Sequence, residues 1–249
     1  PYDSNYQIDH GAKVDVKALF TDGNIKDLQV SFLTPEERQM FKANVLYRKE
    51  TENGFAETKS VMLRLQNANG GSDNDPIETY DLSGFCTTEA HAKKYAKYVL
   101  KLRKEVDHGL TFKTAPQYVV GLQPGDYFRL VSEATHVDRY DNGVITADGK
   151  VISKDTITGS QAIYYWKPGT AEVAEATIDF DTSIGLRGVL FTLKNTTTSN
   201  RVYKLETISY AEDGLVEVSG SHAPITSTGS LAILEGWSDD TLSHFLPLI

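Results

Sequence analysis

The chain has 249 residues, 40% of them hydrophobic and 24% charged, with a formal net charge of −9. This is the balance of an ordinary globular chain, long enough to bury roughly three quarters of its unfolded surface as one large domain or two small ones. The negative charge argues against non-specific nucleic-acid binding, which needs a positive surface, and no apolar run approaches the roughly 20 residues of a membrane span.

Taken in order, Val14, Val16, Ala18 and Phe20 alternate, Asp22-Gly23 turns, and Leu28, Val30 and Phe32 alternate again. That pattern predicts a hairpin or two neighbouring strands. Thr34-Pro35-Glu36-Glu37 predicts a short helix start, with Thr34 as cap and Pro35 at the first helical position. FKANVLYRK and TKSVMLRLQ then read as two strands that pair across a polar turn holding Asn53-Gly54. Residues 69–76 read as an exposed loop.

The central stretch runs from Glu78 to Val131. It predicts a strand, a helix over Thr87–His108, a second strand, a Gln123-Pro124-Gly125-Asp126 turn and a third strand. Thr87 is the expected cap, Glu89 sits in the first turn, and Gly109 is the expected stop. Ala92, Tyr95, Val99, Leu102 and Val106 fall at helical spacing and form an expected buried stripe. Lys93, Lys97, Lys101 and Lys104 line the other side.

After Val131 the pattern is almost wholly β. Asn142-Gly143 and Asp148-Gly149 both read as hairpin signals. AIYYW, AEATIDF, GVLFTLK, RVYKLETISY and LVEVS follow as short strands. Ala174, Ala176, Ile178 and Phe180 alternate with Glu175, Thr177 and Asp179, as a half-buried strand should. The expected class is α+β, mostly β, with barrel-like domains and one main amphipathic helix. The expected division is an α+β domain over residues 1–115 and a β-rich barrel or sandwich over 116–249, with strands shared across the boundary.

The motifs of catalysis are missing. There is no G-x-S-x-G elbow, no H-E-x-x-H, no Walker loop and no G-x-G-x-x-G after a strand. The six histidines are scattered, and none pairs at i, i+4. Ser221-His222 reads as a polar turn rather than part of a triad. Asp73, Asn74 and Asp75, like Asp138, Asp141 and Asn142, fall short of a calcium loop because the alternating oxygens and the closing Glu are absent. The single cysteine, Cys86, excludes an internal disulfide framework and reads as a small core residue. No catalytic residue, metal or cofactor is expected. Lys93, Lys97 and Lys101 on the helix, and the aromatic run Tyr164, Tyr165 and Trp166, are the candidates for a contact between subunits. For the aromatic run, core packing is the competing reading. Pro1 at one end and the apolar FLPLI at the other read as cuts from a longer polypeptide.

The string SGFCTTEAHAKKYAKYVLKLRKEVDHGLTFKTAPQYVVGLQPGDYFRLVSE resembles the tail-tip and baseplate-hub proteins of tailed bacteriophages, the family of host-specificity or tip-attachment proteins. The likeness rests on Gly84 ending a strand, the Ala-rich helix of Thr87–His108 with its basic end, and the Leu122–Asp126 turn into a strand, in that order. It is firmest over residues 80–131 and extends over about 25–220. The resemblance implies a trimeric ring at the distal end of the tail, with β-barrel domains around a channel and neighbours in the distal-tail, tape-measure and tail-tube proteins. It implies a virion location after assembly in the host cytoplasm, and no catalytic residues. The alternative is a carbohydrate-binding or carbohydrate-cleaving β-rich module.

Overall fold

The computed structural model describes residues 14–50, 56–66, 70–133, 141–170, 172–195, 201–226 and 229–233, and the backbone of Leu242–Phe245. In chain order the elements are β1 (Val16–Thr21), β2 (Ile25–Phe32), β3 (Lys42–Glu50), β4 (Ala56–Leu65), β5 (Ile77–Asp81), α1 (Glu89–Glu105), β6 (His108–Thr114), β7 (Tyr127–Val131), β8 (Asn142–Ile145), β9 (Val151–Ser153), β10 (Ser160–Trp166), β11 (Ala174–Asp179), β12 (Val189–Leu193), β13 (Val202–Tyr210), β14 (Val216–His222) and β15 (Leu242–Phe245). The class is α+β, mostly β, as the sequence implies.

The chain forms two compact units, and neither is continuous. One holds Leu33–Asp107 and the last described residues; the other holds 14–32 and His108–Leu231. The division therefore falls elsewhere than at 115/116. The reason is strand pairing: β2 and β14 both bond to β6, which draws an early strand and a late one into the same sheet.

The first unit is a four-stranded sheet in the order β15-β4-β3-β5, with α1 packed on β3 and β4. β3 and β4 form the expected antiparallel pair, and β5 lies parallel to β3. Alternation puts Ala43, Val45 and Tyr47 of β3 and Val61, Leu63 and Leu65 of β4 in the core under the helix. Ala92, Ala96, Val99 and Leu100 of α1 close that core, with Cys86 beside them. The alanines let the helix axis approach the sheet closely. Before β3, Thr34 and Glu37 make a reciprocal capping box: Glu37 N donates to Thr34 Oγ1 at 3.2 Å, and Thr34 N donates to Glu37 Oε2 at 2.7 Å. The expected short helix does not form: the box caps a single turn that stops at Arg38, whose N–H donates to the Thr34 carbonyl.

Three details of the helix differ from the sequence reading. Thr88 is the cap, not Thr87; its side chain accepts from His91 N. The helix ends at Glu105 because Val106 turns extended, and Gly109 lies inside β6 rather than stopping the helix. The buried face is also rotated. Leu102 is 38% exposed, while Tyr95 and Val106 are only half-buried. Arg103 takes the place expected for Leu102. Its guanidinium carbon lies 4.7 Å from the Phe41 ring centroid, and it donates to Glu78 Oε1 at 3.0 Å and to the Gln39 carbonyl at 3.2 Å. A long stem with a paired charged head seals the edge of an apolar seam as well as a leucine would.

The second unit contains a six-stranded sheet in the order β1-β7-β13-β14-β6-β2. β1 runs parallel to β7, and every other pair is antiparallel. β1 and β2 are not a hairpin. They lie at opposite edges of the sheet, although only the turn Asp22–Asn24 separates them in sequence. The sheet must curl to bring its two edges that close, so it is a half-barrel. Phe20 packs inside the curl, with ring centroids 4.8 Å from Phe112 and 5.4 Å from Phe128. Leu110, Leu130, Tyr203, Leu205, Val216 and Val218 belong to the same core. Pro124-Gly125 turns as expected: Asp126 N donates to the Gln123 carbonyl, and Gly125 has φ +100°.

A five-stranded antiparallel sheet, β11-β10-β12-β8-β9, completes this unit. Asp148-Gly149 makes the β8–β9 hairpin, with Gly149 at φ +85°. Asn142-Gly143 does not turn; it lies in β8. Gly143 is needed for closeness instead, because a Cβ there would run into the Ile152 carbonyl oxygen. In β11 the alternation holds: Glu175, Thr177 and Asp179 are exposed and Ile178 is buried.

Two substitutions separate the observed helix face from the expected one. Val99→Asp should lower unfolding free energy by roughly 3 kcal/mol, since it buries an unpaired charge, while Leu102→Asp should cost less than about 1 kcal/mol. Denaturant unfolding measures both. In the same assay Gly143→Ala should cost about 1–3 kcal/mol, from the forced displacement of β9.

Candidate subunit-contact surface

At 100° per residue, Lys93, Lys94, Lys97, Lys101 and Lys104 fall within an arc of about 100° on α1. Lys94 and Lys104 are exposed, and Lys93 and Lys97 are half-exposed. Lys93 Nζ pairs with Glu89 Oε1 at 2.7 Å, one turn earlier. Lys101 is different from the expectation. It is 5% exposed, and its Nζ donates to the Ala232 carbonyl at 2.9 Å. Its charge is spent within the chain, so it has little surface left for a neighbour.

The aromatic run also lies inside. Tyr164 and Trp166 are buried, and Tyr165 is half-buried on the opposite face of β10. Trp166 packs 6.2 Å from Phe20, and its Nε1 donates to the Thr170 carbonyl at 3.0 Å. Tyr164 carries the Arg129 guanidinium 4.1 Å from its ring centroid, with Lys194 Nζ at 5.4 Å. Arg129 is buried because both faces of β7 are covered: Phe128 and Leu130 point into the curl, and Arg129 points the other way. Burial depresses the Arg129 guanidinium below its ordinary value, and nearby Tyr164 and Glu175 oppose that shift. The aromatic run is therefore core packing, on both faces of one strand, rather than a contact surface.

Other exposed groups escaped the sequence reading. Phe85 is 78% exposed in the turn before α1, and Tyr210 is 81% exposed at the end of β13. Val120 and Ile152 are exposed as well. Alternation and turn chemistry place such residues on elements but do not say which are left uncovered.

Among the described residues two histidines meet. Gly109 pairs with Ser221 across β6 and β14, so the next residues outward, His108 and His222, fall opposite each other. Their rings stack at 4.6 Å and 20°, and His108 Nε2 is 3.1 Å from the Tyr203 hydroxyl. Alternation turns Ser221 to the other face from His222, so the pair makes no nucleophile–base contact. Ser221-His222 lies in β14 rather than in a turn. The Asp73–Asp75 loop uses its own oxygens: Asp75 Oδ2 accepts from Ser72 N at 2.7 Å, and Asp73 pairs with Arg64. Asp138 lies outside the described residues, while Asp141 is buried next to β8. Cys86 is buried, as expected.

A polar staple joins α1 to β5. Glu78 accepts from Arg103 and, at 2.8 Å, from the Tyr80 hydroxyl. Burial first, and the bond to Glu78 second, push the Tyr80 phenol up to about 12. A phenol raised in the folded state stabilises the fold fully below its unfolded value near 10 and loses that contribution as pH climbs towards 12. Stability should thus fall between pH 10 and 12, and Tyr80→Phe should remove that part of the fall. Unfolding midpoints across the interval test this.

No protein-family model matches the chain, and no curated protein matches it. A solved structure described as the virion of native gene transfer agent (GTA) particle aligns over 87% of this chain and 35% of that chain, at 14% identity and a TM-score of 0.44. This chain thus spans little more than a third of the length of the one it aligns with.

Proposed function

We propose that the chain is a structural virion protein of a tailed phage, and within the virion a component of the tail tip or baseplate hub. In this reading copies of the chain form a threefold ring at the distal end of the tail and contribute to host attachment. Its neighbours are the distal-tail, tape-measure and tail-tube proteins, and it assembles in the host cytoplasm. The observation that carries the reading is the ordered run from Gly84 to Asp126. Gly84 lies in the turn before α1, α1 seats on the β3–β4 pair, β6 enters the curled sheet, and the Gln123–Asp126 turn opens β7 of that sheet. The helix, the strand after it and the turn into β7 follow the order on which the resemblance rests, while Gly84 lies in a turn beyond β5 and does not end a strand; the curled sheet supports the barrel-like part that the resemblance implies.

The role assigned is structural rather than catalytic. Ion pairs such as Lys17–Asp126, Lys113–Asp213 and Lys194–Glu175 serve to tie strands and turns together. A glycan-binding module would draw on exposed aromatic rings for stacking, and in the aromatic run of β10 Trp166 is only 2% exposed.

Immunogold electron microscopy of the tailed particles, with antibodies raised against this chain, tests the reading. Label at the distal tail end, with threefold density there in an averaged reconstruction, is the expected result. Label on the capsid or none on the particle overturns it, and turnover of a bacterial polysaccharide by the purified chain favours the glycan module.

A further inference from the structure

We propose that Asp107, His108 and His222 form a binding site for one divalent transition-metal ion, zinc first among them, and that the ion clamps the start of β6 to the end of β14. The proposal is independent of the hub reading, since it concerns one end of a single sheet.

Strand register builds the site. Phe32 pairs with His108 across β2 and β6, and Tyr203 pairs with His222 across β13 and β14. With His108 and His222 opposite each other, Phe32, His108, His222 and Tyr203 make one row on one face of the sheet. Cross-strand neighbours have Cβ atoms about 5 Å apart, so two histidines placed there are within reach of one ion. Asp107 precedes His108 by one peptide bond, so its place follows β6, and Leu33 N donates to its carbonyl at 2.9 Å. One ligand atom from each of Asp107, His108 and His222 lies within 4.8 Å of the others. Histidine spacing in the sequence gives no sign of this cluster, because only the β6–β14 pairing joins residues 108 and 222.

The donor set suits zinc. Two imidazoles and one carboxylate are the ligands of zinc sites that keep a fourth position for water. Zinc bonds of about 2.0–2.2 Å in a tetrahedral array set ligand atoms about 3.4 Å apart, so the three must draw together by no more than about 1.4 Å. Asp107 and His222 are half-buried, so both can turn and an ion can reach them from solvent. His108 is buried, and its Nε2 is 3.1 Å from the Tyr203 hydroxyl. A bond of that kind on one ring nitrogen aims the other, as it does in metal-bound histidines. Phe32 and Tyr203, with ring centroids 5.2 Å and 5.5 Å from that of His108, give the site an aromatic surround. The Asp107 carboxylate offsets part of the charge of the ion. Ser221 faces away from His222, so no nucleophile stands beside the ion and the role assigned is a clamp.

Calorimetric titration of zinc into the whole chain, first stripped of metal with a chelator, tests the site. The chain should take up one zinc ion, and its melting temperature should climb with zinc concentration, because the ion binds the folded state. Cobalt in place of zinc should give the visible absorption of a four- or five-coordinate ion. His222→Ala and Asp107→Asn, each shown to be folded by circular dichroism, should weaken zinc binding at least about tenfold, as much as losing an outer-shell partner does. His91→Ala, at an exposed position on α1, should change nothing. Asp107→Asn keeps the size of the side chain, so it decides the matter even where His222→Ala does not fold. A chain that shows neither zinc heat nor a shift in melting temperature overturns the site. So does zinc binding that both variants leave unchanged, which puts the ion elsewhere in the chain. Loss in His222→Ala with none in Asp107→Asn overturns the three-ligand assignment. A chain found at the tail tip that takes up no zinc overturns this site and leaves the hub reading standing.

Discussion

The turn Asp22–Asn24 is the constraint on which the larger unit depends. It joins the two strands that end up at opposite edges of the six-stranded sheet, and a turn so short leaves the sheet no choice but to curl. Asn24 fixes the corner. Its Oδ1 accepts from Thr21 N at 2.7 Å, its Nδ2 donates to the Leu19 carbonyl at 3.3 Å, and its own carbonyl accepts from Thr114 Oγ1 at 2.6 Å. Those bonds tie the end of β1 to the start of β2 and the end of β6. Asn24 is buried, so each of these groups would otherwise be a buried polar atom without a partner, at a cost of about 1–3 kcal/mol.

The curl then decides what the neighbouring strands can carry. With Phe20, Phe112 and Phe128 filling the inside, the outward side of β1 and β7 becomes a second core face against the five-stranded sheet. This is why β1 and β7 read as unbroken runs of buried residues rather than alternating ones. It also explains Arg129. A charged residue on the outer face of β7 is trapped as that face is covered, and the Tyr164 ring and the Glu175 field make the burial tolerable. The aromatic run of β10 is the other half of the same layer.

How much of this was legible in the sequence follows from the range of each interaction. Short-range chemistry reads well. The Thr34 cap, the Pro124-Gly125 and Asp148-Gly149 turns, and the alternation of β11 each involve residues a few positions apart, and all are where the sequence puts them, although Thr34 caps a single turn and not the expected helix. Long-range choices do not. Val14–Phe32 looks like a hairpin because nothing local says that β1 pairs with a strand more than a hundred residues away. The helix face was misread by one position, since Leu102 and Arg103 both fit an apolar seam and only the Phe41 ring and the Glu78 carboxylate decide between them. Gly143 carries the same dipeptide signal as a turn, yet answers to the Ile152 carbonyl on a neighbouring strand. For the contact residues, spacing identified the lysine arc, but the burial of Lys101, Tyr164 and Trp166 depends on packing that no periodicity contains.

Open sheet edges bear on how such a chain can assemble. An edge strand offers unpaired backbone groups, and copies of one chain are at risk of adding strand to strand without limit. Here the edges carry charge. β11 exposes Glu175 and Asp179, β5 ends at exposed Asp81, and β2 is interrupted at Lys26–Gln29 by an irregularity that includes Asp27 at φ +51°. Two β11 edges brought together would bring acidic strands face to face, which like charges oppose. Charge at the edges thus opposes unlimited strand-to-strand association.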